Sequence, residues 1–286
     1  MKNNFGEVIG VFQVQNKRPG RFTSFDEEIL SILSSQASVA VENAWLYEVI
    51  KITFESFIET LAATIDARDP LTAGHSKRVT EYSLAIGNNL NLTPDETETL
   101  RYSALLHDYG KIGVSEAILT KKEKLSDEEY EKIKKHVEYT AKILEKIHFS
   151  KNFKEIPRIA SSHHERIDGS GYSLGLSGSE IPLLSKIIAI SDVFDAITSK
   201  RHYRRPMEMK DALKIIYEGK GNQFAEKVVE AFGKITLDKI LEIMGKSILP
   251  QDKKALSKYK ISKFYSLLKS KTPKASRIKK IFNSYY

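Results

Sequence analysis

Apolar and polar positions alternate along this chain in a rhythm that is helical almost everywhere. The exception comes first: Val8–Val14 is a short β-branched and aromatic run that reads as a strand, followed by a turn at Asn16–Arg21 around Pro19-Gly20. Ser24-Phe25-Asp26-Glu27 has the form of a helix capping box. Beyond it Ile29, Ile32, Leu33, Ala37, Val41, Ala44 and Leu46 fall mostly three or four apart, predicting a helix that continues through Phe54, Phe57 and Leu61 to about Ala63. From residue 50 to about 235 the pattern stays helical, with start signals at Thr93-Pro94-Asp95-Glu96 and Ser126-Asp127-Glu128-Glu129. After Gly245, Leu256, Ile261, Leu267, Leu268, Ile278 and Ile281 stand among lysines and predict one or two basic amphipathic helices. The expected fold class is all-α, with a short strand and a long helix ahead of the bundle. The segments are 1–49, 50–235 and a basic tail, 236–286.

Composition narrows the chemistry. With 41% hydrophobic and 29% charged residues, the chain has the balance of an ordinary folded protein. It contains no cysteine, so disulfides, thiolate metal sites and cysteine nucleophiles are excluded. The net charge of +8 suggests nucleic-acid binding until it is located. Residues 251–286 hold eleven Lys and Arg against Asp252 alone, which makes that segment +10 and the other 250 residues −2. The body carries no basic field, and nucleic acid is not an expected partner. No apolar run approaches the roughly eighteen residues a membrane span needs, and the start lacks signal-peptide form. A soluble cytoplasmic protein is expected.

Five of the seven histidines and two aspartates stand at regular stations: His75, His107-Asp108, His136, His163-His164 and Asp192. The steps of 32, 29, 27 and 28 residues each suit one helix and its connection, so every station can face one cleft from a different helix. Imidazole and carboxylate suit iron, manganese, zinc or nickel. Seven such groups exceed the needs of one ion and suit two ions bridged by a carboxylate. Asp195, three residues after Asp192, and Asp168 are candidates for orienting histidine N–H groups. Lys111, three residues after Asp108, comes onto the same face as that ligand if the helix persists past Gly110. Gly169 and Gly171 suit a tight loop near the cleft.

The flanking residues carry a resemblance. Leu105–Val114 (LLHDYGKIGV), His163–Tyr172 (HHERIDGSGY), Asp69–Val79 (DPLTAGHSKRV) and the segment Ile187–Arg204 (ending SDVFDAITSKRHYR) resemble the ordered motifs of HD-GYP phosphodiesterases, a branch of the HD-domain superfamily, over roughly residues 65–235. The resemblance implies an HD-domain helical bundle in which His75, His107, Asp108 and Asp192 hold one metal. Asp108 would bridge to a second, held by His136, His163 and His164. It also implies hydrolysis of cyclic di-GMP to pGpG or GMP by metal-activated hydroxide, with Fe or Mn favoured over Zn or Ni. Asp108 and Lys111 would be catalytic, and Lys111, Arg201, Arg204, Gly171 and Tyr172 would meet the substrate. A diguanylate-cyclase domain is the implied protein partner. Three departures stand out: Ser173 replaces the proline of the GYP motif, Tyr109 the usual isoleucine after the HD pair, and Leu71 the glutamate that brings a third metal to some members. A two-metal site is therefore expected. A weakly active cyclic di-GMP receptor, and an HD hydrolase of another cyclic dinucleotide or nucleotide, are the alternatives.

At the opening, Gly10-Val11-Phe12, Phe25-Asp26 and Gln36–Ala44 (QASVAVENA) resemble the last strand and helix of a GAF sensor domain. About forty-five residues cannot enclose a ligand pocket, so this segment is expected to be a truncated sensor. Its long helix is expected to pair with a second copy of the chain.

Overall fold

A computed structural model describes the chain apart from residues 4, 69–73, 122, 173, 201–204 and 271. Leu71, Ser173, Arg201 and Arg204 therefore lie outside the described residues. Two compact units emerge, Met1–Phe57 and Ile58–Tyr286.

In the first unit the expected strand is absent. Residues 9–14 run without ladder partners, and the one β-bridge nearby joins Val8 to Lys2. A strand needs a neighbour to satisfy its backbone groups, and no second run of this kind exists in the unit. Helix α1, Ser24–Arg68, begins where the polar signal places it and extends five residues past the expected end. Its cap is one residue earlier than the sequence pattern suggests. Thr23 and Asp26 form the reciprocal pair: the Thr23 backbone N–H donates to Asp26 Oδ2 at 2.7 Å, and the Asp26 N–H donates to Thr23 Oγ1 at 3.4 Å. Lys17 also reaches Asp26, and these hydrogen bonds hold the carboxyl down at about 2.

Among its described residues the second unit has helices and no strand, its β-pairings being the isolated bridges Lys220–Phe224 and Thr236–Lys260. It takes in the last turns of α1, where Ile58, Ala62 and Ile65 are buried. There follow α2 (His75–Asn88), α3 (Pro94–Leu106), α4 (Glu116–Leu119), α5 (Asp127–Lys134), α6 (His136–Leu144) and α7 (Ile156–Ser161). Then come α8 (Leu183–Thr198), α9 (Met209–Glu218), α10 (Glu226–Phe232), α11 (Leu237–Ile243), α12 (Pro250–Leu256), α13 (Ile261–Leu268) and α14 (Pro273–Asn283). Both remaining start signals act as capping boxes: Thr93 with Glu96 opens α3, and Ser126 with Glu129 opens α5.

Helix α2 packs on α3 and α8, and α6 on α7, which frames one cleft. The apolar stripe of α8 explains its central place. Ile187, Ile188, Ile190 and Phe194 are fully buried, while Asp192 and Asp195 leave that stripe for the cleft. Phe194 stands edge-on to Tyr82 of α2 and to Phe232 of α10. The basic segment forms three helices after Gly245, and the same core takes Leu256, Phe264 and Phe282 from them.

Candidate metal centre

Each histidine station sits at a helix end or in the turn after one, where a side chain can reach inward without breaking the ladder. His75 is the first residue of α2 and His136 the first of α6, while His107 follows α3 directly and His163-His164 occupy the turn after α7. Asp192 comes from the middle of α8. A 3-10 turn, Tyr109–Gly113, replaces any continuation of α3 past Asp108. It bends Lys111 back so that its Nζ donates to Asp108 Oδ2 at 2.6 Å.

The seven expected ligands converge. His136, His163 and His164 present ligand atoms within 4.8 Å of one another, and so do His75, His107 and Asp192. A third group, His107, Asp108 and His163, joins the two. Asp108 lies between the halves, with Oδ2 3.4 Å from His107 Nε2 and Oδ1 3.4 Å from His136 Nε2.

The rings are held in one tautomer. The Nδ1 atoms of His107, His136 and His163 each lie 2.7 Å from a carbonyl oxygen three residues back, of Ala104, Ile133 and Ala160. A carbonyl only accepts, so each Nδ1 carries the proton and each Nε2 keeps its lone pair. Those three Nε2 atoms are buried and have no hydrogen-bond partner. Three orphaned ring nitrogens in one cavity are costly unless a cation satisfies them. The donor set and its geometry fit a metal site.

Burial and neighbouring charge act differently on the individual imidazoles. Burial, then the neighbouring imidazoles, hold His163 well below its ordinary value. Burial lowers His164 to about 4, so both stay neutral. Burial opposes charge on His75 too, but the Asp192 and Asp195 hydrogen bonds outweigh it and raise this group to about 9. Burial would raise Asp108, yet Lys111 and the surrounding imidazoles keep its carboxyl well below the usual range.

Asp195 lies beside His75. Its Oδ2 lies 2.8 Å from His75 Nδ1, and it also accepts from Arg78 Nε at 2.6 Å and Nη2 at 3.0 Å. Arg78 was not anticipated, although its place one helical turn after His75 was a signal. Asp168 is a correction: it is exposed and accepts from the Ser170 N–H and Oγ at 2.9 and 2.6 Å, shaping its own loop and meeting no histidine. Loop geometry explains this, because Asx turns bind their own backbone before any distant ring.

Two glycines make the site possible. A Cβ on Gly110 would fall 1.9 Å from the His136 carbonyl oxygen, so only glycine lets that turn touch α6 and bring Asp108 to His136. A Cβ on Gly171 would fall 2.6 Å from the backbone at His164, Glu165 and Arg166. This close approach lays Tyr172 on the His164 ring, centroids 4.7 Å apart. The loop is pinned by buried Glu165, which accepts from the Leu174 and Leu176 N–H groups at 2.6 and 3.1 Å. At its outer side Lys134 stands over both Tyr130 and Tyr172, 5.0 and 5.4 Å from the ring centres. Neither Tyr130 nor Lys134 was marked by any motif.

Comparison with known proteins agrees with this architecture. Residues 59–228 match the HD domain family, and the chain belongs to it. A 3'3'-cGAMP-specific phosphodiesterase 3 of Vibrio cholerae is 38% identical over 196 residues, covering 68% of this chain and 40% of that protein. A cyclic di-GMP phosphodiesterase of the same organism is 38% identical over 195 residues, covering 64% and 40%. One from Thermotoga maritima is 36% identical over 178 residues, covering 62% and 48%. The chain thus spans less than half the length of these relatives. No described helix is long and apolar enough to cross a membrane.

Proposed function

We propose that this chain is a metal-dependent phosphodiesterase of the HD-GYP type, acting on cyclic dinucleotides with cyclic di-GMP as its substrate. The observation that carries the reading is the pair of ligand groups, His75/His107/Asp192 and His136/His163/His164, with Asp108 between them. Two bound divalent ions would supply an activated water at neutral pH and charge stabilisation for phosphoryl oxygens. The chain's own groups do the rest. The Nδ1 hydrogen bonds fix the imidazoles for ligation, and Asp195, itself held by Arg78, fixes His75. Lys111 keeps a positive charge at the rim of the centre, where a substrate phosphate is expected. Tyr172, with Gly171 behind it, offers a face against which a purine can settle. Arg201 and Arg204 remain candidates for the second phosphate. The relatives are named for two different cyclic dinucleotides, and the motif resemblance favours cyclic di-GMP. We read residues 1–49 as the closing part of a GAF-type sensor, on the motif resemblance alone.

The test is turnover. Protein loaded anaerobically with Fe(II) or Mn(II) is given cyclic di-GMP and, separately, 3'3'-cGAMP, and products are separated by chromatography. Linear pGpG or GMP from cyclic di-GMP is expected, with about two metals per chain by elemental analysis. Binding without turnover in every metal would replace this reading with a receptor. A much higher kcat/KM for 3'3'-cGAMP would reassign the substrate.

A further inference from the structure

The last turn of α1 meets the supports of the metal centre through two side chains outside the ligand set. The first is Asp66. Helix α2, which opens on His75, has Gly74 as its N-cap, in the left-handed region at φ 68°, and no acidic residue in its first turn. Glycine has no side chain to accept from the free N–H groups of that turn, so α2 lacks a side-chain cap of its own. Asp66 supplies one from outside: its Oδ1 accepts from Ser76 Oγ at 2.7 Å, and the Ser76 backbone N–H also reaches this carboxylate. Ser76 is buried and Asp66 half-buried, which shelters the contact from water. The second side chain is Arg68. Its Nη1 donates to the Ile112 carbonyl at 2.5 Å and its Nη2 to the Val114 carbonyl at 3.2 Å. Those carbonyls lie at the end of the 3-10 turn Tyr109–Gly113 that follows Asp108. The same turn is fixed to α6 as well, where the Gly110 N–H donates to Thr140 Oγ1 at 2.9 Å.

We infer that Asp66 and Arg68 are positioning residues for the metal centre: Asp66 sets His75 by capping the turn that carries it, and Arg68 sets Asp108 and Lys111 by bracing the turn that follows Asp108. The inference rests on the metal-centre reading above. Asp195 orients the His75 ring at 2.8 Å, but the place of the ring comes from the first turn of α2, and that turn is what Asp66 holds. Asp108 shows the same division. Its carboxylate meets Lys111, while the turn after it is held by Arg68 on α1 and Thr140 on α6. Groups that hydrogen-bond to ligands contribute about 10–100-fold to metal affinity, and Asp66 and Arg68, one step further out, should contribute about tenfold each. Side chains that only stabilised the fold would act on the melting temperature and leave the metal spectrum of the folded protein alone.

Co(II) is the probe, because its visible absorption reports ligand number and geometry with no substrate present. Full-length parent and variants are freed of metal, checked for folding by circular dichroism and titrated with Co(II). Asp66→Ala should weaken binding about tenfold and alter the visible spectrum. Asp66→Asn keeps an oxygen acceptor for Ser76 and should stay within about twofold of the parent. Arg68→Ala should weaken binding by a similar factor to Asp66→Ala. Arg68→Lys should restore only part of the loss, because an ammonium cannot fork to two carbonyls. Ser76→Ala removes the hydroxyl alone and should cost about fivefold, which keeps the hydrogen bond testable if Asp66→Ala does not fold. Added to Asp66→Ala, it should cost nothing further. Variants that melt lower yet bind Co(II) with the affinity and spectrum of the parent overturn the inference. So does an additive Asp66 and Ser76 pair, or an Asp66→Asn as weak as Asp66→Ala. A parent that binds no Co(II) overturns the metal centre along with it, so the two failures are told apart.

Discussion

Single atoms decide the metal centre. Among the described residues, Asp108 is the carboxylate that the ion pairs place within reach of imidazoles from both ligand groups, with one oxygen facing each half. Asp108→Ala should therefore lower the metal content and abolish turnover together, measured by elemental analysis and product chromatography. Retained turnover would show that the bridge is elsewhere. Gly171 gives a steric counterpart. Its missing Cβ is what admits the backbone of residues 164–166, so Gly171→Ala should destabilise the protein by about 1–3 kcal/mol. It should also raise KM more than it lowers kcat, since it shifts Tyr172 and leaves Asp108 in place; the reverse split would place Tyr172 in the chemistry. Much of this was legible beforehand, because residue types at fixed stations report ligand chemistry directly. Arg78 and Glu165 were not, since an arginine or glutamate in a helix or loop shows its partner only after folding. Asp168 misled for the same reason, its nearest donors being its own loop.

At the scale of elements, the periodicities located helices well and the ends unevenly. The boxes at Thr93 and Ser126 appear where the pattern put them, while Thr23 took the cap expected of Ser24. Val8–Val14 has strand composition, but composition cannot supply the neighbouring strand that a ladder requires. Capping gives a pH prediction. In the α5 box, the Lys121 hydrogen bond and the Ser126 N–H hold the Glu129 carboxyl below its usual value. Folding thus gains from ionised Glu129 at any pH above the ordinary carboxylate range, and the gain disappears as pH falls through the depressed value. Urea midpoints of the parent and Glu129→Gln should differ at pH 7 and converge towards pH 3. A constant gap would show that the carboxylate charge contributes nothing to the cap.

For the second unit as a whole, the basic tail changes meaning. Eleven cations against one acid in residues 251–286 read as a basic tail apart from the body, and nine of its described Lys and Arg are exposed while Lys279 is half-buried. The apolar positions between the lysines go elsewhere. Leu256, Phe264 and Phe282 are fully buried, and they belong to the core that also holds Ile187 and Phe194 of α8, the helix carrying Asp192. Charge could not reveal this, because a lysine-rich helix looks the same to composition whether its other face is wet or packed. Energetics then separate the two cases. Phe264→Ala empties a fully buried aromatic site and should lower stability by about 3–5 kcal/mol, a large share of the roughly 5–15 kcal/mol of a typical domain. Truncation after Gly245 removes all three side chains and leaves their partners facing water, so the shortened protein should lose its cooperative thermal transition, and its metal sites with it. Substituting four exposed lysines, Lys254, Lys258, Lys269 and Lys280, with glutamine should leave the melting temperature nearly unchanged. Calorimetry of these variants distinguishes a packed tail from a solvated one. A truncated chain that melts like the parent would return the segment to the role of a charged appendage.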